Sequence, residues 1–591
     1  MLSGKEEISM EKKISVGIQL FEDVIQDDTF YVDKTKFIED WWNEKVRVSL
    51  ITRPGRFGKT LMMSTVECFF SNKYEGRGDL FDGLYICTVP EMMALQGTFP
   101  VVALSFSECK SLVDSRKNIT EYAGMVQKMK TLLSNKFFAF NDVFEKSGSK
   151  LSRDDQRMFT IIRDNVHEEY TDDIFEYSIQ LLCRLLFAHY GKKPIIILDE
   201  YDMPLREAYA HGYGNELVGL MRALFNTSFK TPSHYQRVLI TGITRISRQS
   251  LFSDVYNIKT YSVTSRLYAD SFGFTEKEVF DALDEYGLSS QKQNVKDWYD
   301  GFVMGGMKGI YNPYAIASFL DEQEFKTYWV DTSSNELVSQ LIRHGNEETR
   351  EDFQKLMKNK SFHCLIDENV VFEDLSHVEG AVWSLLLGSG YLKADEILRM
   401  DEEGGPLEQP IYSLSITNLE TRIMFEDLVG QWFTSATDES SYREFIDALH
   451  AYDIAKMNYF MNKVALHSFS YFDNSGAFWQ GFAIGLTVSL DKHYHVTSNR
   501  IAGTGRYDLQ LKPKDKSMQA FIIEIKRSEG KQLRTAVREA LQQIEERQYC
   551  TELEMEGYTV IRKLGIAYKG QVCLVGDEES MKSRRRKAGL E

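Results

Sequence analysis

The sequence predicts an α/β protein in which two α/β regions flank a chiefly helical one. Three observations predict this class. Near the N-terminus, a strand leads through a glycine-containing loop into a helix. Further along, an unbroken apolar strand ends in two acids, and near the C-terminus a strand hairpin carries an Asp, a Glu and a Lys. Because 591 residues exceed one ordinary core, we expect domains at 1–270, 271–440 and 441–591.

The first element is a predicted strand at 46–52 that runs into Arg-Pro-Gly-Arg-Phe-Gly-Lys-Thr at 53–60 and then into helical spacing. This order is typical of a phosphate-binding loop, whose backbone N–H groups and helix N-terminus cradle phosphate. Lys59 would reach the β- and γ-phosphates of ATP, and the Thr60 hydroxyl would ligate Mg²⁺. The strict pattern has Gly where this chain has Arg53, so an ordinary turn is the alternative.

The next elements complete a nucleotide site. Residues 194–198 predict a strand buried on both faces, and it ends at Asp199 and Glu200. Asp199 would hold Mg²⁺ through water, and Glu200 would act as general base. The strand at 238–244 ends at Thr244, which is either a γ-phosphate sensor or an ordinary polar residue. The predicted nucleotide-binding residues are Arg53, Gly55, Arg56, Gly58, Lys59, Thr60, Asp199 and Thr244.

Strands that alternate with helices over residues 15–265 predict a parallel sheet of the P-loop NTPase type, ASCE/AAA-like in its order of motifs. Arg245 and Arg248 are candidates to neutralise transition-state charge, with surface ion pairs as the alternative. A small-molecule kinase is less favoured, because Glu200 beside Asp199 suits activation of water. The middle region is predicted to be helical, with a winged-helix-like element at 381–416.

The C-terminal hairpin predicts a metal site. Side chains alternate along a strand, so Glu524 and Lys526 share a side while Ile523 and Ile525 face a core. Asp508, on the neighbouring strand, would join Glu524 in binding Mg²⁺ or Mn²⁺, and Lys526 would orient a hydroxide. This is the chemistry of a metal-dependent phosphodiesterase. A solvated charged face is the alternative.

Charge and composition limit the partners. The net charge of −17 opposes general attraction to nucleic acid. Residues 500–538 nevertheless carry ten basic and four acidic side chains, which predicts a local track for a phosphate backbone, or else a solvated basic face. We expect nucleic acid, DNA above all, as partner, with homo-oligomers compatible with the sequence. An apolar run of about 18 residues, the length that spans a membrane, and an N-terminal signal are both lacking, so we expect no membrane contact and a cytoplasmic location. Seven scattered cysteines argue against structural zinc.

Motifs along nearly the whole chain resemble bacterial proteins with an N-terminal AAA-ATPase-like domain and a C-terminal PD-(D/E)XK nuclease domain. These motifs lie at 31–35, 53–60, 198–202, 272–275, 298–302, 311–314, 328–333, 498–500, 505–508 and 523–526. The resemblance implies that Arg53 is usual in its loop. It also implies a nuclease core of Asp508, Glu524 and Lys526, supported by Gln543, which is otherwise a surface helix residue.

Two departures from that family concern metal binding. Relatives often carry a Glu where this chain has Gly476, and another where it has Ile501. Two hypotheses follow. The first is an ATP-dependent or ATP-regulated DNA nuclease that needs Mg²⁺, which the resemblance places in defence against phage or mobile DNA. The second is a nucleotide-switched DNA-binding or assembly ATPase whose nuclease domain is weakened or inactive.

Overall fold

The fold is taken from a computed structural model. It describes residues 12–109, 121–166, 168–231, 233–244, 251–252, 254–330, 338–339, 341–342, 345–367, 380–400, 406–434, 440–468, 490, 493–502, 505–528, 532–569 and 572–582. The chain divides into two compact units, Met1–Leu341 with Ser361–Thr421, and Ile342–Lys360 with Arg422–Glu591. The three domains expected from the sequence stay a prediction.

The strands are β1 (Val48–Thr52), β2 (Val101–Ser105), β3 (Ile195–Asp199), β4 (Arg237–Gly242), β5 (Ile258–Tyr261), β6 (Phe274–Thr275), β7 (Phe302–Met304), β8 (Met307–Tyr311), β9 (Phe362–Leu365), β10 (Leu392–Met400), β11 (Pro406–Ile416), β12 (Tyr494–Ala502), β13 (Gly505–Pro513), β14 (Ala520–Arg527), β15 (Ile561–Lys569) and β16 (Val572–Gly576).

The α-helices are α1 (Phe21–Gln26), α2 (Lys36–Asn43), α3 (Lys59–Phe70), α4 (Pro90–Met93), α5 (Glu121–Ala139), α6 (Asn141–Ser147), α7 (Arg153–Arg163), α8 (Asp172–Tyr190), α9 (Met203–Ala210), α10 (Gly214–Phe229), α11 (Glu276–Glu285), α12 (Lys292–Tyr299), α13 (Pro313–Glu322), α14 (Glu347–Met357), α15 (Ala381–Gly388), α16 (Leu419–Thr434), α17 (Ser440–His450), α18 (Ile454–Ser468), α19 (Leu533–Glu546), α20 (Thr551–Met555) and α21 (Glu578–Lys582).

The first unit is built on a five-stranded sheet in the order β2-β3-β4-β1-β5. All four pairings are parallel. β4 lies between β1 and β3, so the loop after β1 and the acids after β3 meet at the carboxyl edge of the sheet, where α/β proteins bind ligands. The predicted P-loop NTPase sheet is confirmed. Its core includes apolar residues of β1 to β4 and of α5, α7, α8 and α10, which are buried together.

The remainder of the first unit contains more strand than we predicted. Two three-stranded antiparallel sheets are present, in the orders β6-β8-β7 and β10-β11-β9. Helix α15 leads into the β10–β11 pair, which gives the winged-helix-like arrangement expected at 381–416. Helix α11, which directly follows β6, begins with a capping box in which Thr275 and Glu278 bond each other's backbone.

The second unit contains a mixed sheet in the order β12-β13-β14-β15-β16. β14 and β15 are parallel, and α19 and α20 lie between them in sequence, while the other pairings are antiparallel. Ala520 and Ile522 of β14 are buried in one cluster with Val537 and Leu541 of α19. On the other side, Phe521 contacts the ring of Tyr494. The strand is therefore covered on both faces.

Both sides of β14 therefore face apolar residues. Ile523 is buried, in keeping with the prediction that it faces a core. Alternation along the strand puts Glu524 and Lys526 on the other side, with Ala520 and Ile522 under α19, and Glu524 is 2 % exposed. A solvated charged face is thereby excluded for Glu524.

Within the described ranges, no helix has the length and apolar character needed to cross a membrane.

Candidate nucleotide and metal sites

The loop after β1 turns sharply into α3. Gly58 has a φ of 77° and Arg56 a φ of 61°, both in the left-handed region, and α3 begins at Lys59. The Lys59 ammonium donates to the carbonyls of Arg53 and Pro54, at 3.0 and 2.7 Å. Burial lowers the pKa of Lys59 to about 8. The Lys59 side chain therefore folds back onto its own loop, the position expected of a phosphate-binding lysine.

Asp199 links the loop after β1 to the carboxyl edge of the sheet through hydrogen bonds. The Thr60 hydroxyl donates to one carboxylate oxygen of Asp199 at 2.6 Å, and the Thr241 hydroxyl donates to the other. The two residues predicted to hold Mg²⁺ are thus adjacent. Their hydroxyl and carboxylate oxygens form the kind of donor set that suits this ion.

Glu200 lies beside them with a φ of 50°, so its backbone departs from the strand direction at the end of β3. Its side chain lines the same cavity as Lys59 and Thr60. Burial, and then the charge of Asp199, raises the pKa of the Glu200 carboxyl. A raised pKa suits the general base that we predicted, because proton transfer is most efficient near the working pH.

Thr244 is bound to a carboxylate that lies in the 198–202 motif but was given no role from the sequence. Asp202, fully buried, accepts from the Thr244 hydroxyl at 2.7 Å and from the N–H groups of Ile243 and Thr244 at 3.1 and 2.9 Å. Asp202 therefore fixes the end of β4 against the start of α9. Its position three residues after Asp199 was the available signal. Arg245 and Arg248 lie outside the described residues.

Arg53 supports the loop from beneath. Its side chain is fully buried, and its guanidinium donates to the carbonyls of Thr52, Tyr261, Ser262 and Tyr268 at 2.8 to 3.0 Å. It also lies over the Phe272 ring, 5.5 Å from the centroid. Burial lowers the pKa of Arg53 to about 10, so it stays charged at neutral pH. The Arg53 side chain thus bonds main-chain carbonyls, whereas we predicted a contact with nucleotide.

A cavity of about 720 Å³ opens over the loop, within the range of small-molecule sites. Its wall includes residues 14–19 and the loop residues Gly55, Arg56 and Gly58. The Asn312 amide donates to the Gly55 carbonyl at 3.1 Å, and Arg56 lies over the Tyr314 ring. The motif at 311–314 therefore forms part of the loop's surroundings, a contact that spacing alone did not predict.

The hairpin residues converge in the second unit as predicted. Asp508 on β13 accepts from the Ile525 N–H of β14 at 2.7 Å. Glu524 accepts from the Lys526 ammonium at 3.2 Å and from the Gln543 amide of α19. Gln543 in turn accepts from Lys526. The four residues therefore form one cluster, and Gln543 does not lie on the solvated face of its helix.

Glu524 carries the strongest electrostatic perturbation of this cluster. Burial, followed by the charge of Asp508, raises its pKa to about 7, and burial also raises the pKa of Asp508. The second carboxylate oxygen of Glu524 has no hydrogen-bond partner among the described residues. Two close carboxyls, of which Glu524 is buried with an unsatisfied oxygen and Asp508 is half-buried, fit a divalent cation, which would favour the charged form of both. Gln543 is itself held by the Tyr549 hydroxyl at 3.1 Å, a contact that the sequence did not signal.

A third metal ligand is not found in the described part of the chain, where no group of three or more His, Cys, Asp or Glu side chains gathers to hold an ion. Gly476, which stands where relatives often carry Glu, lies outside the described residues. Ile501 pairs with Arg506 in the β12–β13 ladder. The donors at hand are Asp508 and Glu524.

The predicted basic track is partly used in internal contacts. Lys512 pairs with Glu556, and Lys516 donates to the Glu556 carbonyl at 2.7 Å. Arg534 and Arg538 donate to carbonyls at 580 and 581. Lys512 and Lys516 lie toward the turn between β13 and β14, at the end of the hairpin away from Asp508. Only part of the positive surplus therefore lies near the cluster.

Two family models match this chain. Residues 15–252 match the model for predicted AAA-ATPases, and residues 475–578 match the PD-(D/E)XK nuclease superfamily. The protein thus combines a P-loop ATPase fold with a nuclease-type fold. It carries an AAA-ATPase-like domain followed by a C-terminal domain of the PD-(D/E)XK nuclease superfamily, as the resemblance implied.

Two individual similarities accompany these matches. An uncharacterized protein of the vnfD 5′ region from Azotobacter chroococcum mcd 1 is 24% identical over 414 residues, which cover 70% of this chain and 68% of that protein. The ORC2 protein of Aeropyrum pernix, solved as ADPNP-ADP complexes, is 10% identical with a TM-score of 0.22 and covers 67% of this chain and 90% of that one. The assignment of the fold rests on the strand order and the family models.

Replacing Arg53 by Gly introduces the first residue of the strict phosphate-loop pattern, yet we expect this substitution to destabilise the first unit. The carbonyls of residues 261, 262 and 268 would lose their donor, and each unsatisfied buried acceptor costs about 1–3 kcal/mol. We therefore expect a loss of about 3 kcal/mol or more in urea unfolding of the full chain. Arg47→Gly, at an exposed arginine with one bond to the Gln236 carbonyl, is the control and should cost less than about 1 kcal/mol. Wild-type stability in Arg53→Gly would contradict this role.

The raised pKa of Glu524 predicts that the free energy of unfolding of the metal-free protein depends on pH. Its folded pKa of about 7 lies above the ordinary value of 4.5, so the folded state holds the proton more tightly and stability falls as pH rises between these values. Glu524→Gln should remove this loss. With chelator present, the variant should gain on the order of 3 kcal/mol relative to wild type between pH 4.5 and 8. Glu546→Gln, at an exposed position of α19, is the control. A pH-independent difference between Glu524→Gln and wild type would refute the assignment.

Proposed function

We propose that this protein is an ATP-dependent or ATP-regulated DNA nuclease that requires Mg²⁺ or Mn²⁺. The observation that carries the proposal is the convergence of Asp508 and Lys526 on the buried Glu524, one oxygen of which has no hydrogen-bond partner among the described residues. The same chain holds Lys59, Thr60, Asp199 and Glu200 around one cavity edge. A role in defence against phage or mobile DNA is proposed from the family resemblance alone.

In the first unit, the cavity residues would bind and hydrolyse ATP. Lys59 would exchange its loop carbonyls for phosphate oxygens, and Thr60 with Asp199 would hold Mg²⁺, which offsets phosphate charge. Glu200 would accept a proton from the attacking water. Asp202 fixes Thr244, so the sensor role proposed for Thr244 would act through a hydroxyl already bound to a carboxylate.

In the second unit, Asp508 and Glu524 would hold a divalent cation, which supplies positive charge for phosphodiester cleavage. Lys526 would orient the hydroxide and stabilise charge on the phosphate. Gln543, held by Tyr549, would keep Lys526 in place. DNA would reach the cluster over the basic residues of 500–538.

A second function is favoured by a specific observation. Among the described residues the cluster has two carboxylates, Asp508 and Glu524, and Lys526 and Gln543 both bond the same Glu524 oxygen. A weak metal site of this kind suits a nucleotide-switched DNA-binding or assembly ATPase whose nuclease domain no longer cuts. ATP hydrolysis without DNA cleavage would favour this alternative.

DNA digestion tests the nuclease proposal. Plasmid and linear DNA are incubated with Mg²⁺ or Mn²⁺ and with wild type, Asp508→Ala or Lys526→Ala. We expect both variants to lose about 100-fold or more in rate, because each removes charge that acts on the reacting phosphate. Lys563→Ala, which removes an ion pair with Glu545 outside the cluster, is the control and should cut normally. Equal cutting by all four proteins would refute the assignment.

Phosphate release from ATP tests the nucleotide site. Lys59→Ala should abolish hydrolysis, since the phosphate loop loses the cation that offsets the charge of the β- and γ-phosphates. Lys73→Ala, at a surface lysine beside Tyr74, is the control. The same variants in the DNA assay, with and without ATP, test ATP regulation, and unchanged cutting by Lys59→Ala in ATP would contradict that part of the proposal. Analysis of labelled products would reveal a kinase if phosphate appeared on a small molecule.

A further inference from the structure

Arg206 lies on the wall of the nucleotide cavity, shortly after the acid pair. Helix α9 begins at Met203, so Arg206 is in its first turns, four residues after Asp202. Its side chain, 24% exposed, lines the same cavity as Lys59, Thr60 and Glu200. No motif that we took from the sequence includes it.

The Arg206 guanidinium lies beside the Asp202 carboxylate, yet its N–H groups lack hydrogen bonds to oxygen among the described residues. The Asp202 carboxylate lies 3.6 Å from its Nε, and its Nη2 lies 3.7 Å from the Met203 sulfur. Among the described residues, no oxygen accepts a hydrogen bond from this guanidinium, and its buried Nε is unpartnered. An arginine prefers to fill its planar fork with carboxylate or phosphate oxygens. The Asp202 oxygen nearest to it is already engaged with Ile243 and Thr244.

The charge of Arg206 acts on the catalytic end of the cavity. After the larger effect of burial and the opposing effect of nearby carboxylates, Arg206 also lowers the pKa of Lys59. It likewise offsets part of the rise in the pKa of Glu200. Two cations at one end of a partly enclosed cavity repel each other, and an anion between them relieves that cost. The extra charge of a triphosphate would relieve it more than a diphosphate.

We infer that Arg206 is the arginine, supplied by the same chain, that contacts the terminal phosphate of the bound nucleoside triphosphate. The inference rests on the proposed ATP site and adds a residue that separates ATP from ADP. From the sequence we had considered Arg245 and Arg248 for this charge.

Nucleotide binding to Arg206→Gln in the full chain tests this inference. Affinities for ADP and for a non-hydrolysable ATP analogue are measured by displacement of a fluorescent nucleotide. The variant should lose about tenfold or more for the ATP analogue, the size of one charge-assisted contact, while its affinity for ADP changes less than about twofold. Retained ADP binding also shows that the cavity is folded. Arg206→Lys, which keeps the charge without the fork, should lie between the two.

Arg163→Gln is the matched control, because it removes an arginine that pairs with Asp164 away from the cavity. Equal losses for ATP analogue and ADP, or no loss at all, would overturn the inference. If the pH profile of ATP hydrolysis shifted while the preference for the ATP analogue over ADP stayed the same, Arg206 would act only on the Glu200 carboxyl. That result would also overturn the inference. If Arg206→Gln does not fold, the ratio of the affinities of Arg206→Lys for the ATP analogue and for ADP decides. A wild type that binds neither nucleotide would instead refute the proposed ATP site.

Discussion

The first unit depends on the buried charge of Arg53. Its guanidinium bonds four main-chain carbonyls, one at the end of β1 and three in the segment 261–268 after β5. A buried cation is costly unless its donors are satisfied, so the loop and this segment must be together for either to be stable. Lys59 then bonds the carbonyls of Arg53 and Pro54. The position of the Lys59 side chain thus depends on the backbone that Arg53 anchors.

The two candidate sites differ in how their carboxylates are satisfied. Both oxygens of Asp199 accept hydroxyl donors, from Thr60 and Thr241. Glu524 instead has one oxygen crowded by Lys526 and Gln543 and one oxygen without a partner. The first arrangement is stable as it stands. The second stores an electrostatic cost that a bound cation would relieve, which links occupancy of the nuclease-type site to the stability of its sheet.

Local patterns predicted the parts of these sites that lie on single strands or loops. The strand, loop and helix at 46–70 and the pair Asp508 and Glu524 follow from residue types and from alternation along a strand. Three of the four carbonyls that accept from Arg53 lie more than 200 residues away, as does Asn312, which donates to the Gly55 carbonyl. Such partners are set by tertiary packing, which one sequence does not reveal. The burial of Glu524 was not predicted for the same reason, since its side of β14 is covered only by the tertiary position of α19.

The long separation between the phosphate loop and its surroundings has a consequence for how the chain is built. β1 pairs with β4 and β5, about 190 to 210 residues later, and the loop is then contacted by Asn312. During synthesis the loop therefore emerges long before its neighbours, and contacts of high sequence separation form slowly. A fragment cut at residue 252, where the AAA-ATPase family match ends, would lack β5 and three acceptors of Arg53. A fragment that keeps all four acceptors of Arg53 must therefore extend at least to residue 268, beyond the end of that family match.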